Sequence, residues 1–172
     1  MPTHLSRRNA TWLLVAGLAA PSVRTSQALD KPAKPVVLTL TGAIGVRNRG
    51  QAAAFDLDML RALPQVSFTT PTPWDHRPLK FTGPLLRNVL ALVQASGRLL
   101  KARAINDYRI DIPADDAHRY DVVLAHSIDD RPLTVRSKGP LFVVYPFHRH
   151  PELQNNTYYE RSIWQLRHIE VE

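Results

Sequence analysis

Proline interrupts this chain so often that few stretches are left in which a long helix could form. Fourteen prolines stand against seven glycines, and each proline fixes φ and removes a backbone donor. That balance favours fixed turns and extended segments over a helical bundle. The strong exception runs from Pro84 to Ser96. Thr82 is placed to cap this helix, Pro84 suits its first turn, and Gly97 can end it in a left-handed conformation. Leu85, Leu86, Val89, Leu92 and Val93 recur there at helical spacing and form one apolar face.

Short extended pieces surround that helix. Val36–Gly42 is a β-branched run ended by glycine, and 54–57 is a shorter strand. Asp58 then caps a brief helix through Leu63, stopped by Pro64. Residues 66–70 form another strand that enters Pro71–Thr72–Pro73. From Ala102 the period becomes two: Ala104, Asn106, Tyr108 and Ile110 alternate with Arg103, Ile105, Asp107, Arg109 and Asp111. Pro113 to Asp116 makes a turn or a single helical turn. Residues 122–128 and 133–135 flank Asp129–Asp130–Arg131–Pro132 as a hairpin. Residues 141–145 read as a buried strand and 163–171 as the last one. A chain of 172 residues has room for one such domain. The expected class is α+β, with mixed sheets or a partly rolled barrel around one main helix.

The first 28 residues have a different character. His4, Arg7 and Arg8 precede the apolar run 11–20, and Ser26–Gln27–Ala28 supplies small residues for cleavage. This is the pattern of a secretory signal cleaved near Ala28, which places the protein in the periplasm. Arg7–Arg8 leaves both the general and the twin-arginine export routes open. The run is too short for the roughly 20 residues that cross a bilayer, and no second apolar segment of that length follows, so no membrane insertion is expected. Residues 29–35 read as an extended linker and 36–172 as the domain.

Charge and thiol content narrow the chemistry. Arg7, Arg8 and Arg24 carry three of the seven net positive charges, leaving +4 scattered among acids. No basic arm results, and nucleic-acid binding is not expected. Cysteine is absent, which excludes disulfides, thiolate metal sites and thiol nucleophiles. His148 and His150 have no third ligand nearby in sequence, so no metal site is expected. There is no nucleophile elbow and no glycine-rich phosphate loop.

A set of landmarks in order carries a family resemblance. They are Leu40–Thr41–Gly42, then Leu60 to Pro64, Phe81–Thr82–Gly83–Pro84–Leu85–Leu86 and Asn106–Asp107–Tyr108. Lys138–Gly139–Pro140–Leu141 and Trp164–Gln165–Leu166 complete the set. In this order they resemble the molybdopterin-binding domain of the sulfite oxidase family over nearly all of residues 36–172. In the enzymes of that family a cysteine thiolate binds molybdenum soon after the Leu-Pro landmark. Here the neighbourhood is Val66 to Thr70, with Thr70 near the place of the missing thiol. A neutral hydroxyl is a poor ligand for a thiolate-preferring metal, so a molybdenum cofactor is not expected.

The chain also looks like a compact, exported, cysteine-free branch of that fold. Those proteins bind pterins and regulate membrane sensors, including diguanylate cyclases and phosphodiesterases of cyclic di-GMP signalling. The resemblance implies a reduced pterin such as a tetrahydropterin as ligand, and the periplasmic domain of a membrane sensor as partner. It implies a binding protein rather than an enzyme. The alternative is a molybdopterin-dependent oxidoreductase that holds its cofactor through the dithiolene alone.

A pterin is flat, with a guanidine-like edge, and its recognition needs an aromatic face and an aligned carboxylate or amide. The ligand-binding residues so implied are Thr70, Trp74, Asn106, Asp107, Tyr108, Arg136, Lys138 and Gly139, with no catalytic residue. Trp74 either stacks on the ligand or packs its proline-bounded loop onto the domain. Asn106 and Asp107 offer hydrogen bonds to the pterin edge, or form a strand-end turn with Tyr108 in the core. Arg136 and Lys138 face the ligand's side chain, with Gly139 allowing close approach of its backbone, or they form a solvated hairpin edge. Tyr158, Tyr159 and Trp164 supply a docking patch or close the core.

Overall fold

The computed structural model describes residues 29–172; the expected signal sequence lies outside them. Strands β1 (Val36–Gly42), β2 (Ala53–Asp56), β5 (Leu99–Ala104), β6 (Arg109–Pro113) and β11 (Leu166–Val171) form a five-stranded sheet in the order β2-β1-β11-β5-β6. The pair β1–β11 is parallel and the others are antiparallel, so the sheet is mixed. Strands β3 (Gln65–Thr70), β4 (Leu79–Pro84), β8 (Ser127–Ile128) and β9 (Arg131–Pro132) form a four-stranded antiparallel sheet. A ribbon of β7 (Val123–Ala125) and β10 (Phe142–Val144) is the third sheet. Each strand order is open, so no closed barrel forms among the described residues. The fold is α+β, mostly sheet.

Two cores meet at the ribbon. Leu124 and Val143 belong to the larger core, with Leu38, Phe55, Leu86, Leu100 and Ile169. Val123, Ala125, Phe142 and Val144 belong to the smaller one, with Phe68, Phe81 and Leu85. Alternate side chains therefore enter opposite cores, which is why residues 141–145 read as a continuous apolar run. Strand β4 lies across β7, with the His126 N–H donating to the Thr82 carbonyl at 2.9 Å. Gly83 sits at that crossing, where a Cβ would overlap the Leu124 carbonyl, a backbone group with little room to give.

Among the described residues the four α-helices are short: α1 (Leu57–Arg61), α2 (Leu86–Leu92), α3 (Ala114–Arg119) and α4 (Asn156–Arg161). The expected main helix from Pro84 to Ser96 shrinks to seven residues. Pro84 closes β4 opposite Gln65, and the Thr82 hydroxyl bonds Ser67 across the sheet at 2.7 Å instead of capping. Gln94, at φ 51°, takes the left-handed position expected of Gly97.

The first helix is capped by Asp56, not Asp58. One Asp56 oxygen accepts from the Met59 N–H at 2.9 Å, and the other accepts from Ala33 and Lys34 at 2.9 and 3.0 Å. Those amides hold the Asp56 carboxyl below its ordinary range, the Met59 bond most of all. They also fasten the segment expected to be a linker onto the domain. Asp58 pairs with Lys34 at 2.5 Å instead.

The alternation from Ala102 to Asp111 is real but folded in two. The chain reverses between β5 and β6, with Asp107 at φ 64° and the Asn106 side chain accepting from the Tyr108 N–H at 3.2 Å. A hairpin turns at the expected aspartates, Asp129 and Asp130 both being at positive φ, 48° and 62°, but the expected strand 122–128 is divided between β7 and β8, which belong to different sheets. Residues 133–135 are not its second strand; that strand is Arg131–Pro132, and a single 3-10 turn at Val135–Ser137 follows.

A Gly83→Ala substitution should force β4 and β7 apart and cost roughly 2–3 kcal/mol. A urea-denaturation midpoint clearly below that of the unaltered protein checks this; an unchanged midpoint would show that the crossing has slack.

Candidate functional site

The loop after β3 carries Trp74 to the margin of the smaller core. Asp75 anchors it, accepting from Lys138 Nζ at 2.8 and 3.0 Å and from the Thr72 hydroxyl at 2.7 Å. Trp164 reaches the same place because its segment runs beside β10: the Val143 N–H donates to the Ile163 carbonyl at 2.9 Å, and Trp164 bridges to Phe142. The two indoles meet edge to face, 5.3 Å between centroids at 85°. Tyr159 stands against Trp74 at 6.1 Å and 71°. Lys138 Nζ lies 5.9 Å from the Trp164 ring centre, within cation–π range.

These rings wall a cleft of about 320 Å³ that is completed by Asn106, Tyr108, Asn156, Glu160, Ser162 and Ile163. The volume is at the lower end of the usual range for small-ligand sites. Helix α4 supplies Asn156, Tyr159 and Glu160. It starts where the Asn155 side chain accepts from the Thr157 N–H at 3.0 Å. It ends where Arg161 pairs with buried Asp116 at 3.0 Å. Tyr145 donates its hydroxyl to the same Asp116 oxygen at 2.8 Å. Burial and then the Asp116 charge push the Tyr145 phenol far above its ordinary value, so it remains a donor. Across the cleft, the Tyr108 hydroxyl donates to the Glu160 carbonyl at 3.4 Å. Partial burial, with the Glu160 charge adding to it, raises the Tyr108 phenol.

Three of the implied ligand residues, Trp74, Asn106 and Tyr108, thus come together. Tyr108 is not in the core; 43% of it is exposed. The other five lie elsewhere. Thr70 is fully buried and its hydroxyl accepts from the His148 N–H at 3.0 Å, outside the cleft. Asp107 turns away at the hairpin tip, 4.0 Å from Arg103. Arg136 and Lys138 line a second groove, to which Asp75 also belongs. Gly139 is buried, and a Cβ there would lie 2.6 Å from Leu133 Cβ, so its close approach is to the chain itself.

Of the expected docking patch, Tyr159 and Trp164 are walls of the cleft. Tyr158 packs against Tyr120 and Tyr145, with Arg161 over its ring at 5.1 Å. The His148 ring packs against Phe68 at 5.3 Å, and His150 pairs with Glu152 at 3.2 Å. Among the described residues no group of three or more His, Asp or Glu could hold a metal ion, and no helix is long and apolar enough to cross a membrane.

Sequence reasoning missed Glu160, the carboxylate of the cleft, because it missed α4. The signal was Asn155, a favoured N-cap residue two positions before Thr157. No family model matches this chain, and no curated protein matches it.

Asp75 links cleft and groove electrostatically. Burial alone would raise its carboxyl, but the hydrogen bonds from Lys138 and Thr72 outweigh that and hold it below its ordinary value. A carboxyl depressed on folding stabilises above its unfolded pKa, near pH 4, and loses that contribution as pH falls through the folded value. Tryptophan emission should therefore change in acid as the Trp74 loop is released, and Lys138→Met should move that change to higher pH. Superimposable pH profiles would remove the pair's anchoring role.

Proposed function

We propose that the protein is a periplasmic pterin-binding regulator of the sulfite-oxidase-like fold, whose ligand occupancy governs docking to a membrane sensor. The observation that carries the reading is the cleft itself. Two perpendicular indoles offer faces to a flat heteroaromatic, and Glu160 offers a carboxylate to its guanidine-like edge. Trp74, the Asn106–Tyr108 turn and Glu160 come from segments far apart in sequence, as a built binding site requires. Glu160 takes the role the sequence suggested for Asp107.

The burial of Thr70 argues for a free pterin over a metal-bearing one. Thr70, near the position of the family's thiolate, is sealed in the interior with its hydroxyl engaged by a backbone amide. A reduced pterin needs only stacking and edge hydrogen bonds. Regulation then requires that the sensor's periplasmic domain bind the loaded and empty forms with different affinity.

Mass spectrometry of small molecules retained by the protein from a native periplasmic extract, with molybdenum quantified on the same sample, tests the reading. A stoichiometric pterin without molybdenum is expected. Molybdopterin with molybdenum would establish the oxidoreductase alternative, and an empty cleft under every condition would leave an accessory domain. In calorimetric titration with tetrahydrobiopterin, Trp74→Ala should abolish binding with the fold retained. Glu160→Gln should weaken it roughly 10- to 100-fold, the loss of a charge-assisted pair. Asp107→Asn should leave it unchanged.

A further inference from the structure

Behind the Trp74 wall lies a larger groove of about 670 Å³, with Leu79, Ile128 and Leu133 on its floor. Its charges are unevenly satisfied. Asp75 pairs with Lys138 at 2.8 Å and Asp129 pairs with Arg77, so both acids of the groove are neutralised. Arg131 and Arg136 also line it, are exposed, and form no salt bridge among the described residues. The groove therefore presents two guanidinium groups outside any salt bridge above an aliphatic floor.

An apolar rim continues from it. The large hydrophobic side chains that stand exposed among the described residues are Ile105, Tyr108 and Val135, at 38%, 43% and 53%. They sit on two turns joined by Gln165, whose carbonyl accepts from the Ile105 N–H at 2.9 Å and whose amide donates to the Val135 carbonyl at 2.7 Å. Gln165 is held at φ 54° and follows Trp164. Val135 precedes the groove residue Arg136 and Tyr108 lines the cleft, so the exposed apolar residues adjoin both concavities.

We propose that this groove docks an extended acidic segment of a protein partner, with an apolar side chain on the aliphatic floor; the partner's identity as a sensor rests on the regulator reading. Charge complementarity selects the occupant: two free arginines and no free acid favour carboxylates. The neighbouring edge strand β9 contains Pro132, which lacks a donor, so the segment is held by side chains and not by added β-pairing. A nucleic-acid strand fits less well, because the groove offers no aromatic side chain on which a base could stack.

Fluorescence anisotropy with a fluorescein-labelled Asp/Glu-rich peptide carrying a central leucine tests the proposal on the mature protein. Saturable, salt-sensitive binding is expected, weakened at least tenfold by Arg131→Glu with Arg136→Glu. The control Arg47→Glu with Arg98→Glu changes net charge equally at other exposed positions and should leave binding within twofold. Absence of binding, or equal loss in both pairs, overturns the proposal. So does displacement of the peptide by millimolar inorganic phosphate, or equally tight binding of a single-stranded oligonucleotide. Tetrahydrobiopterin titrated into the same proteins separates this from the cleft reading. Retained pterin binding without peptide binding removes only the groove, and peptide binding without pterin binding removes only the pterin.

Discussion

The β7–β10 ribbon is buried on both faces, and nearly everything else is arranged by that constraint. Val123, Ala125, Phe142 and Val144 fill one core while Leu124 and Val143 fill the other. A buried Val, Leu or Phe is worth about 1.5–3 kcal/mol relative to exposure, whereas an exposed ion pair contributes about 0–1 kcal/mol. The surface pairs Lys34–Asp58 and Lys80–Asp130 therefore decorate a register that apolar burial has already chosen. The requirement for two covered faces also explains why β4 must cross so closely at Gly83. A side chain there would separate the four-stranded sheet from the ribbon and open the smaller core.

The cleft follows from the same packing. Trp74 and Trp164 both lean on Phe142, at 6.0 and 6.1 Å, so each indole packs on the smaller core while also lining the cleft. The alternatives of stacking surface and structural tryptophan are thus not exclusive for Trp74. Such a residue is held in place before a ligand arrives, which lowers the ordering cost of binding. On the opposite wall, α4 is only six residues long and would not hold its shape alone. Its end is fixed by Arg161 on Asp116, with Tyr145 satisfying the same carboxylate.

Sequence reasoning found the pieces governed by local chemistry. Val36–Gly42 coincides with β1, the paired aspartates mark the β8–β9 turn, and the Trp74 loop reaches the cleft. It failed where tertiary contacts overrode local preference. Thr82 is a good cap in isolation, yet its hydroxyl is taken by Ser67 on the next strand. Asp58 resembles a cap, yet Asp56 wins because two further amides of the preceding segment converge on it. The alternation across Ala102–Asp111 hid a hairpin, since both arms keep the same period and only the Asn106–Asp107 turn chemistry betrays the reversal.

That hairpin shows why the candidate site was only half legible. Period-two reasoning puts Asn106 and Tyr108 on one face and Asp107 on the other, and the cleft does contain the first two without the third. The prediction of sides survives because the turn rotates Asp107 outward, as a strand would have done. Which charged group would serve the cleft was not a strand question at all. Glu160 arrives from a helix whose position depends on Asp116, 44 residues earlier in a separate element, and no local pattern encodes that meeting. The basic residues divide by the same logic. Lys138 and Arg136 both line the groove, but Lys138 is engaged by Asp75 while Arg136, two residues away on the 3-10 turn, forms no ion pair among the described residues. The segment thus lines the groove alone and reaches the cleft only indirectly, through the ion pair that anchors the Trp74 loop.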